Sequence, residues 1–466
     1  MRRVYNIWIV IIAAFAVTIL IGFETGALET LSTSLENAKT GSASPEYSQV
    51  RAAVSILDTG TFNFGEHGYR GQQRGPGYPF VLALGFLTFG RNVWVIYFIN
   101  FLFFIFAIIF LWQLSRHFFP KGWDLVPVSA LVLYMGAPSQ VWVASYEIFA
   151  LALSTSAVLT LMRYFDTQKL LWLGASSLIF SVWALEKPAA LYFLPFVLAF
   201  IIFAKRKNIT RKKLFVHLLV FVIVSGVIIG SWSYRNHKEI DTWQIRSGGH
   251  TLLRSSSQVY FTKSEIISLA LSFSVGDLIG SKLYDKYPLD KSPKAWDPSI
   301  EYRWPKQLNW IVRDLDGEVL TKTEMDAKMY REAIRNIKAK PFAFLARGFL
   351  GLMRLNAPLN HRGQEITRLF VGTHSSIPMW VKIVFILFVR LVWLSVILLA
   401  VYAIARHLKD WKTWGLISLL FLYYNGANAL LTHAEARYVL VIMPFYFILF
   451  TEGLRLRFYL TRNPRG

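Results

Sequence analysis

Long apolar runs separated by short polar connectors dominate the chain, and the lengths of the runs identify the solvent they were selected for. The first, Val4 to Phe23, follows Arg2 and Arg3. At 1.5 Å rise per residue it can cross a hydrocarbon core about 30 Å thick. It exceeds the apolar core of a cleavable signal peptide and has no clear small-residue cleavage site, so it reads as a retained first span with the N-terminus in the cytoplasm. Further runs occupy Val93 to Leu114, Leu125 to Val141, Ile148 to Met162, Leu170 to Leu185, Ala189 to Ala204 and Leu214 to Trp232. After a long polar stretch come Met379 to Ala405, Trp414 to Leu431 and Tyr438 to Phe450. The pattern therefore predicts an all-α polytopic membrane protein of about ten spans, an even count that returns the C-terminus to the cytoplasm.

Charge orients the spans, because Lys and Arg in short loops resist translocation. The connectors assigned to the inner side contain Arg116 and Lys121, then Arg163 and Lys169, then Lys205, Arg206, Lys207, Arg211, Lys212 and Lys213. Near the C-terminus they contain Arg406, Lys409 and Lys412, then Arg455, Arg457, Arg462 and Arg465. The outer turns Gly136-Ala137-Pro138-Ser139 and His433-Ala434-Glu435-Ala436-Arg437 have one basic residue between them. Gly77 to Gly90 is short for a span. Counting it as one would put the Lys205 to Lys213 run outside, so it is predicted to lie on the outer side as an interfacial or re-entrant helix. Phe342 to Leu355, interrupted by Arg347 and Arg354, receives the same interfacial reading.

This arrangement divides the chain into an N-terminal membrane region, residues 1–232, with a first outer loop at 24–92, then a large extracytoplasmic cap, residues 233–377, and C-terminal membrane helices, residues 378–466. Loops of such length are functional or disordered. Trp243, Trp296, Trp304 and Trp310, with a helical pattern from Thr323 to Ala339, argue against disorder in the cap.

Composition narrows the chemistry. With 54% hydrophobic residues the chain is too apolar for a pair of soluble domains. The formal charge of +22 raises a nucleic-acid partner, but the basic residues flank apolar segments instead of forming a face, which excludes one. Cysteine is absent, so disulfides, thiolate metal sites and Cys nucleophiles are excluded. No P-loop, dinucleotide fingerprint, nucleophilic triad or HExxH motif occurs.

The remaining candidates gather on the outer side. In Pro45-Glu46-Tyr47, Glu46 precedes a helical pattern, Val50 to Leu57, that ends near Gly60; it is either a helix cap or a general base. Glu147, in Ala144-Ser145-Tyr146-Glu147, opens the fourth span. It is either headgroup-level polarity or a second carboxylate that, with Glu46, could divide acid and base roles or hold a divalent cation. No other cofactor is indicated. Arg74, in Arg74-Gly75-Pro76-Gly77-Tyr78-Pro79, and Arg235, in Trp232-Ser233-Tyr234-Arg235-Asn236, suit a lipid phosphate or simply snorkel to headgroups. Lys187, before Pro188, sits beside Glu186 and either pairs with it or serves a ligand. At the entry to the last span, His433 could shuttle protons and Arg437 clamp phosphate, against the structural roles such residues often have.

Taken in order, these pieces resemble the GT-C superfamily of polyprenyl-phosphate-dependent glycosyltransferases, in particular the branch of the protein mannosyltransferases and lipid A aminoarabinose transferases. The likeness covers most of the chain at pattern level. An acidic pair and an A-x-x-L-x-x-x-G helix are similar to Pro45-Glu46 and Ala53 to Gly60; a basic residue before a Pro-rich turn to Arg74 to Pro79; an acid opening a later span to Glu147. A Lys/Arg-Pro after a span is similar to Lys187-Pro188, W-x-x-R-N with a downstream Gly-Gly to Trp232 to Asn236 and Gly248-Gly249, and a terminal R-Y before a Pro-containing helix to Arg437-Tyr438 and Pro444. One departure is that Pro45 stands where the first acid is expected. That leaves Glu46 alone locally, unless Glu36 or Asp58 substitutes.

The resemblance implies an enzyme that takes a sugar from a polyprenyl-phosphate carrier and transfers it to a lipid, glycan or protein acceptor on the extracytoplasmic side. Glu46 and Glu147 would be catalytic, Arg74, Arg235, Arg437 and Lys187 would bind the donor phosphate, and His433 would shuttle a proton. The alternatives are a transporter or flippase of lipid-linked sugars, and a polysaccharide polymerase or ligase. Because the native chain contains no cysteine, sidedness has a clean test. Glu46→Cys and Arg437→Cys should react with a membrane-impermeant maleimide in intact cells, and Lys212→Cys only after permeabilisation. Reaction of Glu46→Cys and Arg437→Cys from opposite sides would rule out a shared pocket.

Overall fold

The computed structural model describes residues 2–37, 48–62, 75–205, 209–240, 242–245, 248–261, 263–283, 320, 322–358, 377–432 and 434–462. Glu46, Arg74, His433, Trp296, Trp304 and Trp310 lie outside them. The described residues are overwhelmingly helical and contain no strand; their single extended pairing is a bridge between Ser34 and Asn92. The chain is an all-α polytopic membrane protein. It divides into two compact units, one formed by Met1–Arg246, Val396–Phe421 and Leu440–Gly466, the other by Ser247–Ser395 and Leu422–Val439.

The first unit begins with α1 (Arg2–Glu24), α2 (Ser48–Thr59), α3 (Gly77–Phe89), α4 (Val93–Phe118), α5 (Val126–Leu133) and α6 (Glu147–Thr167). It continues with α7 (Leu170–Glu186), α8 (Pro188–Lys205) and α9 (Arg211–Ile240). The second unit carries α10 (Gly249–Ser257), α11 (Lys263–Val275), α12 (Asp277–Leu283), α13 (Lys322–Ala339) and α14 (Pro341–Leu355). Next come α15 (Met379–Arg406), α16 (Trp411–Leu431), the short turn α17 (Arg437–Leu440) and α18 (Met443–Arg462).

Among the described residues seven helices are long and apolar enough to cross a membrane: α1 from Ile7, α4, α6, α8, α9 to Glu239, α15 and α16. Three predicted spans differ. Leu170–Glu186 is apolar but short, and α18 carries Glu452, Arg455 and Arg457. The run Leu125 to Val141 is not one helix. It breaks after Leu133, where Tyr134 is extended, and resumes as a single 3-10 turn at Pro138–Trp142. Pro138 has no N–H to continue a helical ladder, which accounts for the break. The span expected to end at Trp232 runs on to Ile240, so Arg235 lies on helix α9 and not in the loop after it. The predicted helices at Val50 to Leu57, Gly77 to Gly90, Thr323 to Ala339 and Phe342 to Leu355 are present as α2, α3, α13 and α14. Gly60, the first residue after α2, has φ +66°, the left-handed conformation in which glycine commonly ends helices.

Two kinds of helix surface separate the roles. Helices α1, α9 and α15 expose Ile9, Ile12, Phe15, Phe215, Ile223, Val227, Phe388, Leu391 and Leu398, a surface suited to hydrocarbon and not to water. Helix α6 is buried along most of its length and is the centre of the first unit, packed between α4 and α7. Small hydroxyl residues allow close approach there: Ser176 Oγ donates to the Ala157 carbonyl at 3.0 Å, and Ser177 Oγ donates to the Phe221 carbonyl at 2.7 Å. Hydroxyl-to-carbonyl bonds of this kind join helices where burial alone gives little driving force.

The α17–α18 region shows the same economy. Pro444 cannot donate to the preceding turn, and the chain breaks between Leu440 and Met443. Ser154 Oγ on α6 donates to the Val441 carbonyl at the break. Deeper in α18, Glu452 is fully buried and accepts from His407 Nε2 at 2.8 Å and from Arg455 Nε at 2.7 Å and Nη2 at 2.8 Å. The next residue, Gly453, lies so close to α15 that a Cβ there would fall 2.2 Å from the Leu399 carbonyl oxygen. Gly453→Val should therefore force these helices apart and destabilise the first unit by at least about 1–3 kcal/mol. A lower thermal midpoint in detergent should read this out, and an unchanged midpoint would refute the packing.

Candidate active site

The turn between α7 and α8 collects the ionisable groups of the first unit. Pro188 restricts its predecessor to extended backbone, and Lys187 has φ −127° and ψ 101°. That conformation ends α7 and turns Lys187 inward, where it is 6% exposed. Its Nζ lies 3.0 Å from Glu147 Oε1 and 4.6 Å from the centre of the Tyr146 ring. Glu147 itself is 1% exposed in the first turn of α6, where the helix dipole favours a carboxylate. Lys187 thus pairs with Glu147.

Glu186 serves a different helix. Its Oε1 accepts from the backbone N–H of Gly77 at 2.6 Å and of Tyr78 at 3.3 Å, capping the first turn of α3. The glycines of the Arg74 to Pro79 turn make this approach possible. A Cβ on Gly75 would fall 2.5 Å from the Leu185 carbonyl, and one on Gly77 would fall 2.8 Å from Glu186 Oε1. Beyond the cap, the Tyr78 hydroxyl donates to Asn100 Oδ1 at 2.9 Å, and Asn100 Nδ2 donates to the carbonyls of Val141 at 3.2 Å and Val143 at 2.8 Å. Burial pushes the Tyr78 phenol above its ordinary range, so it stays a donor. This chain of bonds fixes the irregular stretch before Glu147.

Arg235 has its own partners. It donates through Nη2 to the Phe62 carbonyl at 2.9 Å and through Nη1 to Asn236 Oδ1 at 3.1 Å, and lies over the Trp232 ring at 5.0 Å. It makes no contact with Glu147 or Lys187. Asp58, the substitute considered for the missing acid, is exposed and paired with Arg91. Among the described residues no cluster of three metal-ligating side chains occurs. Glu147 faces an ammonium, a poor neighbour for a divalent cation, so the geometry gives no support for a metal at this carboxylate.

The second unit holds Arg437 within a cationic group that sequence reading did not anticipate. Arg437 is paired with Glu435 and lies 5.7 Å from the Tyr438 ring centre. Arg354, 4% exposed on α14, feels the charges of Glu435 and Arg254 and lies 5.9 Å from the Phe273 ring centre. Burial brings the Arg354 guanidinium down to about 9 despite the attraction of Glu435. Arg437 and Arg354 thus both act on the Glu435 carboxylate, and Arg254 adds a like charge near Arg354.

Two helical turns from Arg354, Arg347 caps α16. It donates from Nε to Gln258 Oε1 at 2.6 Å, from Nη1 to the Leu430 carbonyl at 3.1 Å, and also to the carbonyls of Ala429 and Thr432. A guanidinium there satisfies the terminal carbonyls and complements the helix dipole. Burial brings Arg347 also to about 9. Gly351 permits the approach, since a Cβ would fall 2.6 Å from the Ala429 carbonyl.

Gly249, of the Gly248-Gly249 pair, is used in the same way. Its N–H donates to Asp326 Oδ1 at 2.8 Å, and a Cβ would fall 2.4 Å from the Asp326 carbonyl, so α10 and α13 meet backbone to backbone.

The Glu147–Lys187 pair makes a quantitative prediction, because removing one member of a buried ion pair leaves the other desolvated. Lys187→Met alone should cost about 3–5 kcal/mol of stability, whereas Glu147→Gln with Lys187→Met should recover most of that loss. A double-mutant cycle on reversible unfolding measures the coupling, and additive effects would show that the pair is not formed.

Residues 73–232 match the family model described as dolichyl-phosphate-mannose-protein mannosyltransferase. That segment contains Arg74, Glu147, Glu186 and Lys187, and ends three residues before Arg235. No curated protein matches the sequence. Among solved structures, the Archaeoglobus fulgidus oligosaccharyltransferase tethered with an acceptor peptide containing the NVT sequon overlays with a TM-score of 0.45 at 13% identity, over 97% of this chain and 51% of that one. ArnT from Cupriavidus metallidurans bound to undecaprenyl phosphate overlays with a TM-score of 0.40 at 13% identity, over 98% of this chain and 79% of that one. The chain spans about half the length of the oligosaccharyltransferase. Over residues 73–232, about a third of its length, the chain is therefore similar to the dolichyl-phosphate-mannose-protein mannosyltransferase family.

Proposed function

We infer that the protein moves a sugar from a polyprenyl-phosphate carrier to an acceptor hydroxyl or similar group on the extracytoplasmic side of the membrane. The observation that carries this reading is the family match over residues 73–232, which falls on the turn and helix ends that hold Glu147, Glu186 and Lys187. A lipid-linked donor also suits the predicted topology, since an activated sugar outside the cytoplasm must arrive attached to something membrane-soluble.

In the reaction, a base removes the acceptor proton, the acceptor oxygen attacks the anomeric carbon, and the bond to the carrier phosphate breaks with its electron pair leaving on phosphate. Glu46 is assigned as the base. Glu147, locked to Lys187, ties the turn between α7 and α8 to the start of α6. His433 returns a proton to solvent. The leaving phosphate develops negative charge, and preorganised cations stabilise such charge most where water is excluded. The position of Arg437 and Arg354, both acting on Glu435, supports Arg437, joined by Arg354, as the phosphate clamp of the second unit. Arg74 is assigned the same task in the first unit, while Arg235, already tied to Phe62 and Asn236, is assigned to positioning. The acceptor is a lipid, glycan or protein group admitted by the segment after Ile240.

Reconstitution with a panel of polyprenyl-phosphate sugars, monitoring release of polyprenyl phosphate, tests the reading. Glu46→Gln should lower turnover by about 10²–10⁴-fold while carrier lipid still binds. Arg437→Ala should lower it by about 10²–10³-fold. Transport of carrier lipid without release from any donor would identify a transporter and overturn the enzymatic reading.

A further inference from the structure

The mechanism makes no use of a cavity of about 620 Å³ at the opposite ends of α4 and α6 from the Glu147 turn. Its walls come from α4, from the following connector and from the last turns of α6. The polar residues of the lining are Gln113, Arg116, His117, Lys121, Asp124, Arg163 and Asp166, and Trp112, Phe119, Leu159 and Met162 supply an apolar part. A volume of this size lies within the range of small-ligand sites.

Both carboxylates already have partners. Asp166 Oδ2 lies 3.4 Å from His117 Nδ1. Asp124 is buried, and its Oδ1 accepts from the Gly122 N–H at 2.8 Å. The cations are held on aromatic and amide supports instead. Arg116 lies 5.2 Å from the Trp112 ring centre, and Arg163 lies 4.8 Å from the Trp172 ring centre while its Nη2 donates to Gln113 Oε1. Among the described residues neither Arg116 nor Lys121 is in an ion pair. A concave site with an apolar wall therefore presents positioned guanidiniums and an ammonium whose charge the lining acids do not match.

We propose that this cavity binds a phosphate-bearing anion, either the headgroup of an anionic phospholipid or a soluble phosphate compound. Guanidinium groups match the oxygens of phosphate in forked geometry. The apolar wall of Trp112, Phe119, Leu159 and Met162 suits the glycerol and first acyl carbons of a lipid. Lys212 and Lys213, by contrast, stand exposed in the first turn of α9 and line no part of this cavity. This inference is independent of the transferase reading, and its test reads binding, not turnover.

Native mass spectrometry of the full chain, released from nanodiscs holding equal phosphatidylglycerol and phosphatidylcholine, compares wild type with two variants of equal charge loss. Arg116→Gln with Lys121→Gln alters the cavity, and Lys212→Gln with Lys213→Gln, in the first turn of α9 next to the preceding connector, is the connector variant. Retention of phosphatidylglycerol over phosphatidylcholine should fall about tenfold in the cavity variant and stay at the wild-type ratio in the connector variant. Lys121→Gln alone, at an exposed position, should give a partial fall and serves where the double variant does not fold. Adding millimolar inorganic phosphate separates the sources: retention that persists supports the lipid, and displacement together with binding of phosphate itself supports a soluble compound. Equal loss in both double variants, or no preference in wild type, would overturn the proposal and leave only general attraction to a charged surface.

Discussion

Two neighbouring ionisable side chains, Glu186 and Lys187, are almost wholly withdrawn from solvent, and each reaches a different helix start. Glu186 closes the first turn of α3, and Lys187 neutralises the carboxylate that opens α6. In a medium without water, an uncapped helix end or a lone charge costs several kcal/mol, so such groups survive only where a partner is built in. Glu186-Lys187-Pro188 meets that demand for three elements at once. Its arrangement depends on Pro188 to hold Lys187 extended and on Gly75 and Gly77 to let backbone approach a carboxylate. The remainder of the first unit, from the Tyr78–Asn100 bridge to the irregular Pro138–Trp142 turn, is arranged around that junction.

The helical membrane character was plain in the sequence because apolar length is a strong signal, and most of the long runs are long helices. Where the reading failed, a local chemical event overrode hydropathy. The run Leu125 to Val141 is apolar throughout, yet Pro138 prevents one continuous helix, and hydropathy does not register a missing N–H. Helix α9 continues past Trp232 because Tyr234 to Ile240 are compatible with helix even though they are polar. The candidate residues fared unevenly for a related reason. Glu147 and Lys187 could be singled out from their positions beside spans, but that they face each other could not, since 40 residues separate them. Glu186 was seen only as a neighbour of Lys187. Arg347 and Arg354 were read as interruptions of an apolar helix, although their seven-residue spacing already placed them on one face.

The two units handle buried charge in opposite ways. In the first, each buried acid is balanced: Glu147 by Lys187, Glu186 by backbone N–H groups, Glu452 by His407 and Arg455. In the second, the buried charged side chains among the described residues are mostly cations, Arg347, Arg354 and Arg390 against Asp326, with Arg347 committed to the end of α16.

Helix α14 turns Arg347 and Arg354 inward while Phe342, Leu345 and Phe349, on the other side, stay exposed. A rod of this kind cannot move one flank and hold the other. Any displacement of the three apolar side chains is carried rigidly to both guanidiniums, and through Arg347 to the end of α16. Whatever seats Phe342, Leu345 and Phe349 thereby becomes a variable of the two buried arginines themselves.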